Sequence, residues 1–412
     1  MKNNIKFFIQ YILKFNFLFK YQLNKIKSYK ILSNDELKEL KLKKLKLLLL
    51  KSQKSIFYKN LYKTKNIDIN SIKSLEDIKK LPIITKEMIK EREEELLTTN
   101  KKLLFRGYTS GSTGSPLTVF YSYLSVLKEN AYVWSYREDN GLKFKDPVIS
   151  LRGNLTKKEL FKFDPFTNTL YLSSYNLNNT NIKLYYEKIK EFKPKAFLGY
   201  PSSIYLLAQL FKKNSINFDI SLVFTSSETL YENQKDFIEE VFNCKIYDWY
   251  GNAERTIILQ KEDFLYKEPN LYSINEFESD YVITTSLIND SFSLIRYKVD
   301  DSFILENSKV KTVLGRNDDF IILKDNTKIG RIDHIFKGLS GIKFAQVIQS
   351  KINEIEINIV IDNFELFNIN LLEKKISERL GEEIIYKINY ISEKEIIYMN
   401  SGKFKMVVNN VK

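Results

Sequence analysis

The middle of the chain alternates short apolar segments with amphipathic segments, and this order restricts its fold more than any other feature. The apolar segments have strand length, and the amphipathic ones carry apolar side chains at helical spacing. Predicted strands and helices follow one another as 147–151, 181–192, 196–198, 201–211, 222–225 and 232–242. Strands that alternate with helices pair in parallel beneath those helices. The sequence therefore predicts an α/β domain with a largely parallel sheet.

Further elements are predicted on either side of this region. Residues 35–62 have leucines at helical spacing, and Ser33 or Asn34 stands where a helix cap is expected. Residues 281–285 and 294–297 predict additional strands, which we expect to pair antiparallel. The large domain is therefore expected to contain mixed sheets.

The last quarter of the chain predicts a small α+β domain. Strands are predicted at 354–361 and 383–391, and a helix at 371–380 lies between them. A chain of 412 residues is long enough for two domains. The predicted fold is thus α/β, with a basic arm at 1–34, a large N-terminal domain at 35–317 and a small C-terminal lid domain at 318–412.

A loop rich in small hydroxyl residues precedes the alternating region. Residues 110–115 hold four hydroxyl side chains and two glycines. Glycine lets the backbone approach a ligand closely, and hydroxyls and bare N–H groups donate to anionic oxygens. The loop is not a Walker loop, because no Gly-Lys-Ser/Thr ends it. A Ser/Gly/Thr run is also common in surface loops, so phosphate binding needs support from other motifs.

Five motifs supply that support, because they follow the loop in a characteristic order. They are Ser-Ser-Glu-Thr at 226–229, Tyr-Gly-x-x-Glu at 250–254, Arg-Tyr-x-x-x-Asp at 296–301, Gly-Arg-x-Asp-Asp at 315–319 and Ser-Gly-Lys at 401–403. Together with the loop, they resemble the adenylate-forming enzymes, the acyl-CoA synthetase and ligase superfamily. Each motif is weak alone, but their joint order is specific.

One branch of that superfamily is the most similar. This is the phenylacetate–CoA ligase-like group, and in particular the CapK-type proteins found with capsule and cell-wall polysaccharide genes. The segments that resemble it are 37–62, 74–78, 81–86, 199–203 and 346–349, and the resemblance extends over residues 35–412. It implies a large adenylation domain and a mobile C-terminal lid.

Adenylation joins a carboxylate to the α-phosphate of ATP and expels pyrophosphate, so the protein mainly positions reactants and stabilises charge. The resemblance assigns these tasks to the motif residues. Ser110, Gly111, Ser112, Thr113 and Gly114 would hold phosphates, Tyr250 would lie against the adenine, and Gly251 would belong to the same ATP site. Asp301 would hold the ribose, and Arg316 would support the ribose or α-phosphate. Glu254 would bind Mg²⁺, and Lys403 would be the catalytic cation.

The same resemblance implies an acid pocket and a hinge. Gly199, Tyr200 and Trp249 are expected to line the pocket for the carboxylic acid. Asp318 is expected to be the hinge about which the lid rotates to bring in Lys403. Closure of such a lid would exclude water and protect the reactive acyl-adenylate.

Four positions depart from the superfamily pattern. Leu117 stands where many members have lysine, and Ala253 where many have Thr or Ser. Asp300 stands where glycine is common, and Lys405 replaces a usual arginine. No segment indicates a CoA site, so the acceptor of the acyl group stays open.

The basic charge is concentrated at the N-terminus. Residues 1–34 hold seven lysines and no acid, which is half of the formal net charge of +14. Lysines interrupt the apolar residues, so the arm does not predict a membrane-spanning helix, and it lacks the cleavage site of a signal peptide. Two interpretations stay open: an amphipathic helix on an anionic membrane, or a helix packed on the main domain. Dispersed charges elsewhere argue against nucleic-acid binding.

The sole cysteine and the sole histidine exclude several other chemistries. A single Cys244 allows no internal disulfide and no cysteine-cluster metal site, and it is expected to be a small buried hydrophobe. One histidine, His334, allows no histidine cluster and is expected to be structural. No Gly-x-Ser-x-Gly element accompanies it, so a serine hydrolase is not predicted.

The expected protein is a cytoplasmic enzyme that uses ATP and Mg²⁺ to activate a small carboxylic acid as an acyl-adenylate. CoA or another acceptor would then receive the acyl group, with a role in capsule or cell-wall polysaccharide modification. Two alternatives stay open: transfer of AMP to a hydroxyl acceptor, and a non-catalytic, membrane-associated assembly module with the same fold.

Overall fold

The structure is a computed structural model. It describes residues 2–109, 117–152, 155, 159–228, 230, 232–278, 281–315, 320–329, 332–336, 339, 341–361, 363–392, 395–397 and 406–411. Across these residues, no helix is both long and apolar enough to cross a bilayer.

The helices and strands alternate through the middle of the chain, as the sequence predicts. The helices are α1 Lys2–Lys14, α2 Phe17–Ser28, α3 Asn34–Ser52, α4 Ile56–Thr64, α5 Lys86–Ile89, α6 Tyr123–Asp139, α7 Ile182–Phe192, α8 Pro201–Lys213, α9 Glu232–Phe242, α10 Asp333–Phe336 and α11 Ile369–Leu380. The first thirteen strands are β1 Phe105–Tyr108, β2 Thr118–Tyr121, β3 Val148–Leu151, β4 Phe161–Asp164, β5 Thr169–Leu172, β6 Ala196–Gly199, β7 Leu222–Ser226, β8 Lys245–Gly251, β9 Ile258–Glu262, β10 Leu265–Lys267, β11 Ser273–Phe277, β12 Val282–Ser286 and β13 Tyr297–Val299. The remaining strands are β14 Ser302–Glu306, β15 Lys309–Gly315, β16 Ile321–Ile322, β17 Lys328–Ile329, β18 Ile342–Lys351, β19 Glu354–Ile361, β20 Ile385–Tyr390 and β21 Val407–Asn409.

The chain divides into two compact units. The first unit contains residues 1–107 and 118–315, and the second contains residues 108–117 and 316–412. A large unit with mixed sheets and a small α+β unit are the fold class that the sequence predicts, and that prediction is confirmed. The boundaries predicted at residues 34 and 317 remain proposals.

A ten-stranded mixed sheet forms the centre of the first unit. Its strand order is β14-β15-β10-β9-β8-β7-β6-β3-β5-β4. The strands β5, β3, β6, β7 and β8 are parallel, and antiparallel strands extend the sheet on both sides. Helices α7, α8 and α9 cover one face with a buried core that includes Tyr185, Phe197 and Phe211. Helix α6 contributes Tyr136 to the other face, against Phe224.

The order in which consecutive strands are added to the sheet reverses between the parallel neighbours β3 and β6. From β3 the chain continues to β4 and β5 on one side, and it then returns to β6 on the other side of β3 before continuing to β7 and β8. In open α/β sheets, ligands bind outside the carboxyl ends of the strands at such a switch point. The topology therefore directs attention to the residues that follow β3 and β6.

The first two helices pack on the first unit. In α1, the Phe7 ring stacks on Tyr171, with ring centroids 6.1 Å apart. In α2, Phe19, Leu23 and Ile26 are buried against α6. Full burial of one such side chain stabilises a fold by about 1.5–3 kcal/mol. The inner faces of these helices are therefore part of the core. This agrees with the interpretation in which the N-terminal arm packs on the main domain.

The helix predicted at residues 35–62 is interrupted. Ser33 caps α3 through a capping box with Glu36, but α3 ends at Ser52. The side chain of Ser55 accepts a hydrogen bond from the backbone N–H of Tyr58 and starts α4. Serine side chains compete for backbone hydrogen bonds and so favour helix ends over helix interiors. The predicted strand at 294–297 likewise begins later, at Tyr297.

The second unit has its own sheet and core. Strands β20-β19-β18-β21 form a four-stranded mixed sheet, and α11 packs on it. Val347, Ile357 and Leu372 are among its fully buried residues. Strands near 354–361 and 383–391 and a helix near 371–380 are present as predicted.

Candidate active site

Residues at the carboxyl ends of four parallel strands form one row across the sheet. Leu151 of β3 pairs with Gly199 of β6, and Gly199 pairs with Thr225 of β7. One position further along, Ser226 of β7 pairs with Trp249 of β8. Paired residues point to the same face of a sheet. The row that continues these pairs is Arg152, Tyr200, Ser226 and Trp249, and the structure thus brings two of the three predicted pocket residues together.

Gly199 ends β6 at the same edge of the sheet, where there is little space for a side chain. A Cβ atom on Gly199 would lie 2.7 Å from side-chain carbons of Ile204, in the first turns of α8. Non-bonded carbon atoms are at their optimum at about 3.5–4.0 Å, so a larger residue would displace the Ile204 side chain. Gly199 therefore leaves the space against β6 that Ile204 occupies.

Trp249 and Tyr250 are neighbours in β8 and point to opposite faces of the sheet. The Tyr250 hydroxyl donates to Oδ2 of Asp301 at 2.6 Å. Its ring packs edge-on against Phe303, with centroids 5.7 Å apart. The two residues expected to contact the nucleotide, Tyr250 and Asp301, are therefore adjacent in space although 51 residues separate them.

Glu254 lies in a tight turn between β8 and β9. Asn252 closes the turn, because its side chain accepts from the backbone N–H of Thr256 at 2.9 Å and donates to the Thr256 hydroxyl at 2.8 Å. The hydroxyl of buried Tyr297 donates to Oε1 of Glu254 at 3.2 Å. The turn and this hydrogen bond orient the Glu254 carboxylate, which is only partly buried.

Arg296, in the Arg-Tyr-x-x-x-Asp motif, has a structural environment. Its guanidinium makes a two-point ion pair with Glu276, with Nε and Nη2 at 2.9 and 2.8 Å from the two carboxylate oxygens. Its Nη1 donates to the carbonyl oxygens of Lys79 and Leu81. Arg296 is 7% exposed. The motif arginine therefore fastens the segment near residue 80 to the three-stranded sheet.

Two arginines that the sequence analysis did not single out lie near the row. Arg152 follows β3 directly, and its Nη2 donates to the Ser226 hydroxyl at 2.9 Å. Arg137, in the last turn of α6, lies over the Trp134 ring at 4.9 Å. Burial lowers the pKa of Arg137 to about 9, and the positive charge of Arg152 adds to this effect. A single arginine at the end of a predicted buried strand was the available signal for Arg152.

Several predicted site residues lie outside the described part of the chain. They are Ser110, Gly111, Ser112, Thr113, Gly114, Arg316, Asp318 and Lys403. Gly251, in contrast, ends strand β8, and a Cβ atom there would lie 3.0 Å from the Trp249 ring. The assignments of all these residues remain proposals.

Cys244 is partly buried and its thiol lies 3.7 Å from the Ile238 carbonyl oxygen. Burial raises the pKa of this thiol to about 12, so almost no thiolate exists at neutral pH. The single cysteine is therefore unsuited to nucleophilic catalysis. His334 lies in α10, and its side chain is outside the described residues.

Comparison with known proteins agrees with this architecture. Residues 321–410 match the CapK C-terminal domain family. Protein CapK of Staphylococcus aureus is 26% identical over 388 residues, covering 87% of this chain and 86% of the relative. Indoleacetate--lysine synthetase of Pseudomonas savastanoi is 24% identical over 287 residues, covering 66% of this chain and 69% of the relative.

Solved structures show the same fold. A 2-hydroxyisobutyryl-CoA ligase bound to 2-HIB-AMP and CoA in the thioesterification state superposes with a TM-score of 0.60 at 16% identity, over 92% of this chain and 91% of the other. The same ligase in the postadenylation state gives 0.55 at 15% identity, over 92% and 90%.

The chain thus has the fold of solved acyl-CoA ligases, as the sequence predicts. Its resemblance to the CapK-type branch of the adenylate-forming superfamily is confirmed by the family match and by the S. aureus relative.

Proposed function

We propose that this protein uses ATP to activate a carboxylic acid as an acyl-adenylate and then passes the acyl group to an acceptor. The observation that carries the proposal is the pairing of Tyr250 with Asp301 beside Glu254, at the carboxyl edge of the sheet. Two sequence motifs supply these groups: Tyr250 and Glu254 come from one, and Asp301 and Tyr297 come from the other, and two hydrogen bonds join the motifs. One aromatic ring and two carboxylates suit a nucleotide with its metal ion.

Each of these residues has a separate task in the proposal. The Tyr250 ring lies against the adenine, and its hydroxyl orients Asp301 at 2.6 Å. Asp301 then accepts hydrogen bonds from the ribose hydroxyls. Gly251 keeps the backbone accessible, and residues 110–114 hold the phosphates. Arg316 supports the ribose or α-phosphate, and Asp318 is the hinge residue of the lid, which spans 318–412.

Glu254 suits Mg²⁺, although the described residues contain no group of three acidic, histidine or cysteine side chains that could hold a metal alone. Mg²⁺ usually binds one or two carboxylates together with water and substrate phosphates, so a single oriented carboxylate fits. When bound, the ion would neutralise charge on the phosphates. Tyr297 orients the Glu254 carboxylate by donating to Oε1.

We expect the purified protein to catalyse exchange between pyrophosphate and ATP that depends on a carboxylic acid and on Mg²⁺. Exchange reports the reversible first half-reaction, so it requires no knowledge of the acceptor. A library of acids should be screened with radiolabelled pyrophosphate. Transfer of AMP to a hydroxyl compound without any acid would instead support the alternative reaction. Absence of activity with every acid and hydroxyl compound would support the non-catalytic assembly module.

The Glu254→Gln variant tests whether Glu254 binds Mg²⁺. Removing the negative charge weakens Mg²⁺ binding, and a loss of about 1.4 kcal/mol corresponds to a tenfold higher Mg²⁺ concentration at half-maximal exchange. The matched control is Glu262→Gln, at an exposed position at the end of β9. An unchanged Mg²⁺ titration for Glu254→Gln would place the metal ligand elsewhere.

The acceptor and the biological role are inferred from similar proteins. CoA is one acceptor, because the ligase similar in fold is described in complex with CoA. An amine is another, because the name of the P. savastanoi relative describes the joining of an acid to lysine. The similarity to CapK supports a role in capsule or cell-wall polysaccharide modification. Mass spectrometry of the product formed with CoA, lysine or a hydroxyl compound separates these cases, because the products are a thioester, an amide and an ester.

We further propose that the outer face of the N-terminal helices binds an anionic membrane surface, so that the cytoplasmic enzyme is membrane-peripheral. Ile5, Ile9 and Ile12 recur on one face of α1 and are 46–56% exposed, and Phe17 at the start of α2 is 76% exposed. Residues 1–34 carry seven lysines and no acid, and of these lysines Lys27 and Lys30 pair with Glu138 and Asp139 of α6. Each lysine near an anionic surface contributes about 1 kcal/mol.

Substituting both Ile9 and Phe17 by glutamate is expected to reduce co-sedimentation with phosphatidylglycerol vesicles at least about tenfold, because each apolar insertion is worth about 1.5–3 kcal/mol. The fold should persist, since both side chains point to solvent. Phe264→Glu, at an equally exposed residue far along the chain, is the control. Equal pelleting of all proteins, or none at low salt, would contradict membrane binding.

A further inference from the structure

Arg137 and Arg152, the two arginines near the row that ends at Trp249, have an unusual electrostatic environment. The Nε atoms of Arg137 and Arg152 are buried without a hydrogen-bond partner in the described structure. Arg152 has one hydrogen bond, to the Ser226 hydroxyl, and Arg137 lies over the Trp134 ring. Neither has a carboxylate partner among the described residues. The indole Nε1 of Trp249, in the same row, is also buried and unpartnered.

The nearby acidic groups are engaged elsewhere. Asp248 pairs with Thr225 across β7 and β8, so its side chain points to the face opposite Trp249. There it accepts from the Thr225 hydroxyl at 2.6 Å and from the Tyr266 hydroxyl. Glu228 lies at the sheet edge and accepts from the backbone N–H of Ser202 at 3.1 Å, at the start of α8. The charge of Asp248 still acts on Arg152 across the sheet and opposes the lowering of its pKa by burial, but no carboxylate among the described residues contacts either arginine.

Such an arrangement does not stabilise the protein by itself. A buried charge without a partner costs free energy, and two like charges near each other add to that cost. Both arginines remain protonated at neutral pH, because even a pKa of about 9 for Arg137 lies well above it. Sites at which a protein tolerates such a cost are often binding sites, where the missing partner is a ligand.

We propose that Arg152, assisted by Arg137, binds a second anionic group of the acid substrate, so that the substrate is a carboxylic acid with a further carboxylate or phosphate. This proposal rests on the proposed function, because it assigns the far end of the acid that the enzyme activates. Arg152 and Tyr200 follow the two strands of the switch point, where a ligand is expected.

The second group, rather than the reacting carboxylate, belongs to Arg152 for a geometric reason. Tyr250 and Asp301, the proposed nucleotide residues, lie on the opposite side of β8 from Trp249. The reacting carboxylate must meet the α-phosphate on the nucleotide side. Arg152 bonds to Ser226, which shares the face of Trp249, and so it is placed for the remote end of the acid.

The experiment compares acids in matched pairs that differ in one terminal group: hexanoate with adipate, and p-toluate with terephthalate. The wild-type protein should prefer the diacid of each pair in kcat/KM for pyrophosphate exchange. In Arg152→Gln, the ratio of kcat/KM for the diacid to kcat/KM for the monoacid should fall about 30-fold or more. Truncating one partner of a buried charge pair weakens binding by at least about that factor. Arg152→Lys should retain part of the preference.

Arg92→Gln is the control, since Arg92 forms an exposed pair with Glu95. Binding of adipate without ATP, measured by thermal stabilisation, adds a readout that needs no turnover. Stabilisation that disappears in Arg152→Gln supports the second-anion site even if no acid supports exchange, in which case only the proposed reaction fails. A wild type that exchanges with monoacids and ignores diacids overturns the inference and leaves the reaction intact. Equal loss for both members of a pair would place Arg152 on the reacting carboxylate and also overturn it.

Discussion

Replacing Lys403 by alanine is expected to slow acyl-adenylate formation by about 10²–10³-fold, the typical effect of losing one transition-state donor. The proposed role of Lys403 rests on the Ser-Gly-Lys motif at 401–403, since the residue lies outside the described structure. Its ammonium group would stabilise charge that develops only as the carboxylate attacks the α-phosphate. ATP affinity should therefore remain nearly unchanged. Single-turnover formation of acyl-AMP and calorimetric binding of ATP measure the two quantities.

Lys387→Ala is the matched control for this prediction. Lys387 is exposed in β20 of the same compact unit, so the substitution removes an equal charge without touching the motif. A wild-type rate of exchange in Lys403→Ala would reject the catalytic role. A parallel loss of ATP affinity would show that Lys403 binds the ground state as strongly as the transition state.

Replacing Arg296 by methionine is expected to lower the free energy of unfolding by about 3–5 kcal/mol, the cost of breaking a buried ion pair. The substitution would leave the Glu276 carboxylate partly buried without its two-point partner, and it would remove the donors to the carbonyls of Lys79 and Leu81. Urea titration monitored by tryptophan fluorescence measures the change.

The surface offers a control with the same bonding pattern. Arg92 makes a two-point pair with Glu95 through Nε and Nη2, but its side chain is 48% exposed, compared with 9% for Arg296. Exposed pairs contribute about 0–1 kcal/mol, so Arg92→Met should have a small effect. Adding Glu276→Leu to Arg296→Met should recover part of the loss, because it removes the stranded charge. Equal effects at both positions would show that burial does not decide the contribution of Arg296.

The order of elements in the large unit followed from local sequence. Apolar runs such as residues 222–225 have strand length and no polar interruption, and the helix at 232–242 presents apolar residues at helical spacing. Such periodicity depends only on neighbouring residues, and so it predicted this strand and this helix almost to the residue. Serine caps are weaker signals, and the break at Ser55 was missed for that reason.

The partners of individual side chains did not follow from sequence. Tyr250 and Asp301 were both singled out from motifs, but their hydrogen bond depends on the tertiary fold, because β8 and the segment before β14 are not neighbours in the sheet. Arg152 and Ser226 are 74 residues apart and meet only because β3 and β7 flank β6 in the sheet. Contacts between residues so far apart in sequence depend on the order of the strands in the sheet. That order cannot be read from neighbouring residues.

By itself, the sequence determined the fold class, the resemblance to a ligase superfamily and the positions of its motifs, because periodicity and motif order are local properties of the chain. The tertiary structure decided what the motif residues touch. It made Arg296 a partner of Glu276, and it placed Arg152 without a carboxylate partner at the switch point of the sheet. The physical reason is that burial and charge pairing arise only when distant strands are brought side by side, where low polarity makes each missing or present partner energetically large.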